Sequence, residues 1–107
     1  MALIPANDNN FEQLLADNEL VLVKYYADWC GNCKLIAPKV RRLSEDENYS
    51  SVAFLDVNAE ESPNARKMAG VDNLPFFAAF KNGQLVGGSA ASKIDFVQAL
   101  VDEKLLS

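Results

Sequence analysis

Apolar residues recur along the chain at two spacings, one typical of amphipathic helices and one typical of buried strands. Apolar residues at i, i+3 and i+4 from Phe11 predict a first helix that ends near Asp17 or Asn18. The nearly continuous apolar run Leu20–Ala27 predicts a strand that is covered on both faces. Helical spacing then returns and predicts a second helix from about Cys33 to Glu45.

The middle of the chain continues with a third strand and a short helix. Alternating side chains predict a strand at Val52–Val57. Ser62 followed by Pro63 is typical of an N-cap and the first residue of a helix, and Gly70 is placed to end that helix.

A hairpin and a final helix complete the pattern. Two strands are predicted at Phe76–Phe80 and Leu85–Val86, joined by the two-residue turn Asn82-Gly83. Ser92, with Asp95 three residues later, resembles a capping box and predicts the start of the last helix.

The predicted order of elements is α–β–α–β–α–β–β–α, with a short extra strand expected at Ala2–Ile4. This order predicts the α/β class, with a central mixed sheet of four to five strands flanked by four helices. The chain has 107 residues, of which 50% are hydrophobic, so we expect one domain over residues 1–107 with a single hydrophobic core.

Charge and the N-terminal sequence limit the classes of partner and the cellular compartment that we expect. The formal net charge of -5 disfavours nucleic acids and anionic membranes, because both are polyanions. The N-terminus lacks a basic start followed by a long apolar run, so no signal peptide is expected. No apolar stretch approaches the roughly 20 residues that span a bilayer. We therefore expect a protein of the reducing cytoplasm, with neither a nucleic acid nor a membrane as partner.

The chemistry of the chain is concentrated in its only two cysteines, Cys30 and Cys33, in a sequence that has no histidine. They lie where the predicted strand ends and the second helix begins, and a helix N-terminus favours the thiolate, which is the nucleophile in disulfide exchange. Cys30 is expected to be the more exposed, attacking thiol. Cys33, one turn further on the same face, is expected to resolve the mixed disulfide.

The segment Ala27–Lys34, with the sequence A-D-W-C-G-N-C-K, resembles the active-site segment of the thioredoxin family. Pro38 in the second helix, Leu74-Pro75 and the hairpin at Phe80–Gly83 match as well, so the resemblance covers nearly the whole chain. It implies a thioredoxin fold and a protein-disulfide reductase whose redox-active disulfide is formed by the two cysteines, without a further cofactor.

The resemblance also implies partners. These are protein disulfide substrates and an NADPH-dependent thioredoxin reductase, within a role in electron transport and cell redox homeostasis. We expect the chain to act as a monomer.

Four residues near the cysteines receive supporting roles from the resemblance. Pro75 is expected in cis, which would turn the backbone of Leu74 toward the disulfide as an edge for strand-like pairing with substrate. The alternative is that Pro75 merely begins a strand in trans. Trp29 is expected to form an apolar wall beside the site, the alternative being that it only fills the core. Gly31 belongs to the same W-C-G motif and is expected to support the site.

Lys24 departs from the family pattern. Thioredoxins usually carry a buried aspartate at this position, behind the second cysteine, and a lysine where Phe54 stands here. We therefore expect that ion pair to be absent. A desolvated Lys24 could act as a base or as the partner of a thiolate. We favour the alternative, in which its long stem carries the ammonium group to water and it has no chemical role.

Two other classes of function remain open. Two cysteines supply half of a tetrahedral metal site, but the chain offers no histidine and no further cysteine, so no metal site is predicted. The fold could also serve as a binding scaffold with weak or specialised redox activity, because a fold does not by itself determine a function.

Asn32 replaces the proline of the family's usual W-C-G-P-C sequence. Asparagine restores a backbone N–H and loosens the loop, which we expect to favour the thiolate form and a less reducing potential. The Asn32→Pro variant should therefore be more reducing in a redox titration. An unchanged or more oxidising potential would contradict this explanation.

Overall fold

The computed structural model describes residues 3–107 and contains five strands, four α-helices and one 3-10 helix. The strands are β1 (Ile4–Ala6), β2 (Leu20–Tyr26), β3 (Ala53–Asn58), β4 (Phe76–Lys81) and β5 (Gln84–Ala90). The helices are α1 (Phe11–Asp17), α2 (Gly31–Ser44), α3 (Pro63–Ala69) and α4 (Ile94–Lys104), with the 3-10 helix at Glu47–Tyr49.

The strands form one mixed sheet in the order β1-β3-β2-β4-β5. Strands β1, β3 and β2 run parallel, whereas β4 is antiparallel to β2 and β5 is antiparallel to β4. The expected α/β fold, with a mixed sheet flanked by four helices, is confirmed. The short extra strand lies at Ile4–Ala6 rather than at Ala2–Ile4, and Ala2 falls outside the described residues.

Strand β2 lies at the centre of the sheet and contributes to a hydrophobic cluster on each face. Val21, Val23 and Tyr25 pack with residues of α1 and α3, while Leu22 packs with residues of α2 and α4 on the other face. The hydroxyl of Tyr25 donates a hydrogen bond to the carbonyl of Ala65 in α3 at 2.9 Å. Burial raises the pKa of Tyr25, so this phenol stays neutral and keeps its proton for that bond.

The β4–β5 hairpin has the predicted turn but a longer second strand. Asn82 and Gly83 both have positive φ, 54° and 79°, as a two-residue hairpin turn requires. Strand β5 continues beyond the predicted Leu85–Val86 through two glycines. A side chain would be crowded there, since an added Cβ at Gly88 would lie 3.0 Å from the carbonyl oxygen of Phe77. Glycine has low strand propensity, so the sequence predicts a strand that ends before Gly87.

The predicted N-cap residue and C-terminal glycine of α3 are confirmed, whereas the predicted capping box of α4 is wrong. Gly70 ends α3 in the left-handed conformation, with φ 64°. Helix α4 begins at Ile94 with Lys93 at its N-cap, so Ser92 lies too early to form a capping box. Ser62 does occupy the N-cap of α3, but its side chain makes no capping hydrogen bond and its buried Oγ has no partner.

The cap of α3 comes from a residue far away in the sequence. Asp8, which precedes α1, accepts hydrogen bonds from the backbone N–H groups of Asn64 and Ala65 at 3.1 and 2.9 Å. A carboxylate at this position satisfies two of the free donors of the helix and interacts favourably with its dipole. The segment before α1 is thus fastened to α3.

We expect Asp8→Ala to lower the free energy of unfolding by about 1 kcal/mol, because two N–H groups of α3 lose their acceptor. Ser62→Ala is the matched control: it removes the hydroxyl at the N-cap itself, but that hydroxyl has no partner, so stability should be unchanged or higher. Urea unfolding of the two variants measures both effects. The reverse order of stabilities would show that Ser62 is the cap in solution.

Candidate active site

Cys30 and Cys33 form a disulfide at the junction between β2 and α2. Cys30 is the N-cap residue of α2, and its N–H donates to the carbonyl of Ala27 at 3.2 Å, which closes the turn after the strand. Its Sγ accepts a hydrogen bond from the backbone N–H of Cys33 at 3.2 Å. A sulfur in this position lies at the positive end of the helix dipole and receives a donor, and both interactions favour a thiolate over a thiol.

Both cysteines are buried. Their exposed fractions are 5% for Cys30 and 3% for Cys33, so the structure shows little of the difference in exposure that we expected. The pair packs with Ala27 in a small apolar cluster, and the side chains of Tyr26 and Leu74 pack against that cluster. A partner sulfur must therefore approach from a side that these residues leave open.

The first residues of α2 leave such a side open. Gly31 and Asn32 are both exposed, and a Cβ added at Gly31 would meet no atom within 4 Å. Packing therefore does not require a glycine at this position. The absence of a side chain at Gly31 leaves space beside Cys30 for an approaching molecule.

The bond between Leu74 and Pro75 is cis, as the resemblance implied. Leu74 packs against the cysteine cluster, so the segment before β4 borders the disulfide. The carbonyl of Pro75 accepts a hydrogen bond from the N–H of Ala91 at 3.0 Å, which fixes this segment to the end of β5. The structure thus places Leu74 and Pro75 beside the cysteines.

Trp29 lies on the surface, with 67% of the residue exposed, so the alternative that it fills the core is wrong. Its indole N–H donates a hydrogen bond to Oε2 of Glu60 at 2.7 Å. Glu60 follows β3, and the preceding Ala59 donates its N–H to the carbonyl of Tyr26 at 2.8 Å. An exposed aromatic ring next to Cys30 is in this way held to the end of the sheet.

Lys24 is almost completely buried, whereas we expected its stem to carry the ammonium group out into water. The residue is 4% exposed, and its Nζ lies 3.2 Å from Oδ1 of Asp56, which is opposite Lys24 in the β2–β3 register. This is the one ion pair formed within residues 3–107. The pair usual in the family would involve position 54, where Phe54 stands; Lys24 instead pairs with a carboxylate two residues further along β3, on the same face as Phe54.

Tyr26 connects this ion pair with the cysteines. The Nζ of Lys24 lies 5.3 Å from the centroid of the Tyr26 ring, within the range of a cation–π interaction. Burial raises the pKa of the Tyr26 phenol, and the carboxylates of Asp56, Asp28 and Glu61 raise it further. The ring beside the cysteines is therefore neutral at physiological pH.

Sequence reasoning missed two residues of the site, Asp56 and Glu60. Alternation along β3 would place Asp56 on the face of Phe54, but only the β2–β3 register shows that it meets Lys24. No local pattern in the sequence connects Glu60 with Trp29. The two residues are 31 positions apart and meet only because the chain folds.

Across residues 3–107, no group of three or more His, Cys, Asp or Glu side chains is arranged to hold a metal ion. No helix in this part of the chain is long and apolar enough to cross a membrane.

Trp29 is the single tryptophan of the chain, so its fluorescence reports on this site alone. We expect Glu60→Ala to lower the fluorescence anisotropy of Trp29, because the indole loses its acceptor and gains rotational freedom. Glu60→Gln retains an acceptor oxygen and should keep the anisotropy close to that of the unmodified protein. Equal anisotropy in all three proteins would show that Glu60 does not hold the ring.

Comparison with known proteins agrees with this architecture. The family model Thioredoxin matches residues 2–102. Human thioredoxin is 36% identical over 88 residues, which is 82% of this chain and 82% of that protein. The protein disulfide-isomerase of Drosophila melanogaster is 37% identical over 97 residues, which is 86% of this chain but 20% of that protein.

Solved structures support the same assignment. The crystal structure of Chlamydomonas reinhardtii thioredoxin f2 superposes with a TM-score of 0.86 at 28% identity, covering 98% of both chains. The mixed five-stranded sheet with four helices described above is therefore the thioredoxin fold. With its C-x-x-C disulfide at the N-terminus of α2, the chain belongs to the thioredoxin family and is a thiol–disulfide oxidoreductase acting on protein disulfides.

Proposed function

We propose that the chain reduces protein disulfides, with Cys30 as the attacking thiol and Cys33 as the resolving thiol. The observation that carries this assignment is the hydrogen bond from the N–H of Cys33 to Sγ of Cys30 at the N-cap of α2. In the reduced protein the same donor and the helix dipole favour a thiolate at Cys30. Cys33 lies within the first turn of the helix and has no equivalent position.

The exchange proceeds in two balanced steps. The thiolate of Cys30 attacks one sulfur of the substrate disulfide, forms a mixed disulfide and releases the other substrate sulfur as a thiolate, which takes up a proton. Cys33 then loses its proton and attacks Sγ of Cys30, which breaks the mixed disulfide and releases the second substrate sulfur. Two electrons pass to the substrate, and Cys30 and Cys33 become a disulfide.

Protein substrates reach the sulfur through the surface beside Gly31 and Asn32. The segment at Leu74 and Pro75 provides a backbone edge on which an extended peptide pairs as a strand does. Trp29 forms an apolar wall on this surface, held by Glu60. Exposed apolar area next to the disulfide supports recognition of protein substrates rather than of small disulfides alone.

The electrons come from an NADPH-dependent thioredoxin reductase, and the chain itself needs no bound cofactor. It works as a monomer in the cytoplasm, in electron transport and cell redox homeostasis, without nucleic acid or membrane partners. The family resemblance supports the reductase, and the net charge of -5 supports the absence of polyanionic partners.

The test is dithiothreitol-driven reduction of insulin, followed by turbidity. Cys30→Ser should abolish the protein-dependent rate. Cys33→Ser, reduced beforehand and mixed with insulin after dithiothreitol has been removed, should instead accumulate a mixed disulfide between Cys30 and the insulin chain, detectable by mass spectrometry, because Cys33 no longer resolves it.

The reverse pattern, with the adduct on Cys33 in the Cys30→Ser protein and none in the Cys33→Ser protein, would exchange the two roles. A folded, unmodified protein without activity would favour a binding scaffold over a reductase. Circular dichroism of each variant provides the control for folding.

A further inference from the structure

Lys24 is the only charged residue that is buried in the described part of the chain. The residues two positions before and after it place its side chain beneath α2. Leu22 packs with Ile36 and Val40 of α2, and Tyr26 packs against the cluster that contains Cys30. Since alternate residues of a strand share a face, Lys24 lies between these two contacts.

The ion pair of Lys24 with Asp56 is unequally hydrated. The side chain of Lys24 is 5% exposed and that of Asp56 is 26% exposed. The buried Oδ1 of Asp56 has no hydrogen-bond partner, so the 3.2 Å contact holds the two groups by charge without the geometry of a hydrogen bond. Water screens the carboxylate more than it screens the ammonium group, so the pair projects a positive potential into the protein.

The ring of Tyr26 lies next to the ammonium group and also next to the cluster that contains the cysteines. Nζ of Lys24 lies 5.3 Å from the centroid of this ring, and the ring packs against the cluster of Ala27, Cys30 and Cys33. The other charges that act on Tyr26 are negative, namely the carboxylates of Asp56, Asp28 and Glu61. Lys24 is the cation that lies against this ring.

We propose that Lys24 and Asp56 are a positioning pair for thiol exchange: the fixed ammonium group stabilises the thiolates formed at the cysteines through the ring of Tyr26, and Asp56 limits the strength of that effect. The inference rests on the dithiol exchange proposed above. No proton passes through the pair. Protons leaving the cysteines go to water or to the departing substrate thiolate, and the pair acts only through its electric field.

The two single variants should change thiol reactivity in opposite directions. Lys24→Met removes the cation and leaves the carboxylate, so the rate of alkylation of the reduced cysteines by iodoacetamide at pH 7 should fall about three- to tenfold. Asp56→Asn leaves the cation without its carboxylate, so the rate should rise about two- to fivefold. The midpoint of the thiolate absorbance titration should move up in the first variant and down in the second.

Two further proteins serve as controls. Lys67→Met removes an exposed lysine from α3, which packs on the other face of the sheet, and should leave the alkylation rate unchanged. Lys24→Arg keeps the charge, so its rate should lie closer to that of the unmodified protein than the rate of Lys24→Met does.

A merely structural role for the pair would move both single variants in the same direction, or neither, and either result would overturn the proposal. Lys24→Met leaves an unpaired carboxylate and could fail to fold for that reason. In that case the double variant Lys24→Met with Asp56→Asn, which removes both charges, is measured instead of the single variant. Its rate should be lower than that of Asp56→Asn, and an equal rate would again contradict the proposal. Alkylation needs no protein substrate, so a failure of insulin reduction remains distinguishable from a failure of this inference.

Discussion

Burial of β2 on both faces is the constraint on which the rest of the structure depends. The strand lies between β3 and β4, and helices cover its two faces, so its side chains fill both clusters of the core. Lys24 is the one charged residue within it. Because a lysine in this position is almost completely buried, a carboxylate on the adjacent strand must accompany it, and Asp56 does so.

The reactive end of the molecule follows from where this strand stops. After Tyr26 the chain leaves the sheet, turns at Ala27 and enters α2, so the free N–H groups of a helix are placed at the edge of the core. A sulfur fixed there is largely buried and still adjacent to an open surface at Gly31. Reactivity and selectivity thus come from the same junction.

The elements were predictable because each has a strong local pattern. The apolar spacing from Phe11, the continuous run of β2 and the turn at Asn82 and Gly83 each determine their own structure. The family resemblance added the cis bond before Pro75, which the local sequence does not determine.

What the sequence could not show depends on contacts between distant segments. A lysine looks the same in a strand whether or not helices cover it, so its burial and its partner Asp56 appear only with the register of β2 and β3. The acceptor that caps α3 could not be predicted for a similar reason. Ser62 has the right residue type at the right position, but a residue 56 positions away from Asn64 supplies the acceptor.

That remote cap has a consequence for the order in which the chain folds. Helix α3 has seven residues, too few to persist on its own, and its free N–H groups are satisfied by Asp8. Bringing Asp8 to Asn64 closes a large loop, which costs chain entropy before any contact compensates for it. Helix α3 should therefore consolidate late, after the segment before α1 has docked, and the Tyr25 hydroxyl gains its acceptor, the carbonyl of Ala65, only at that stage.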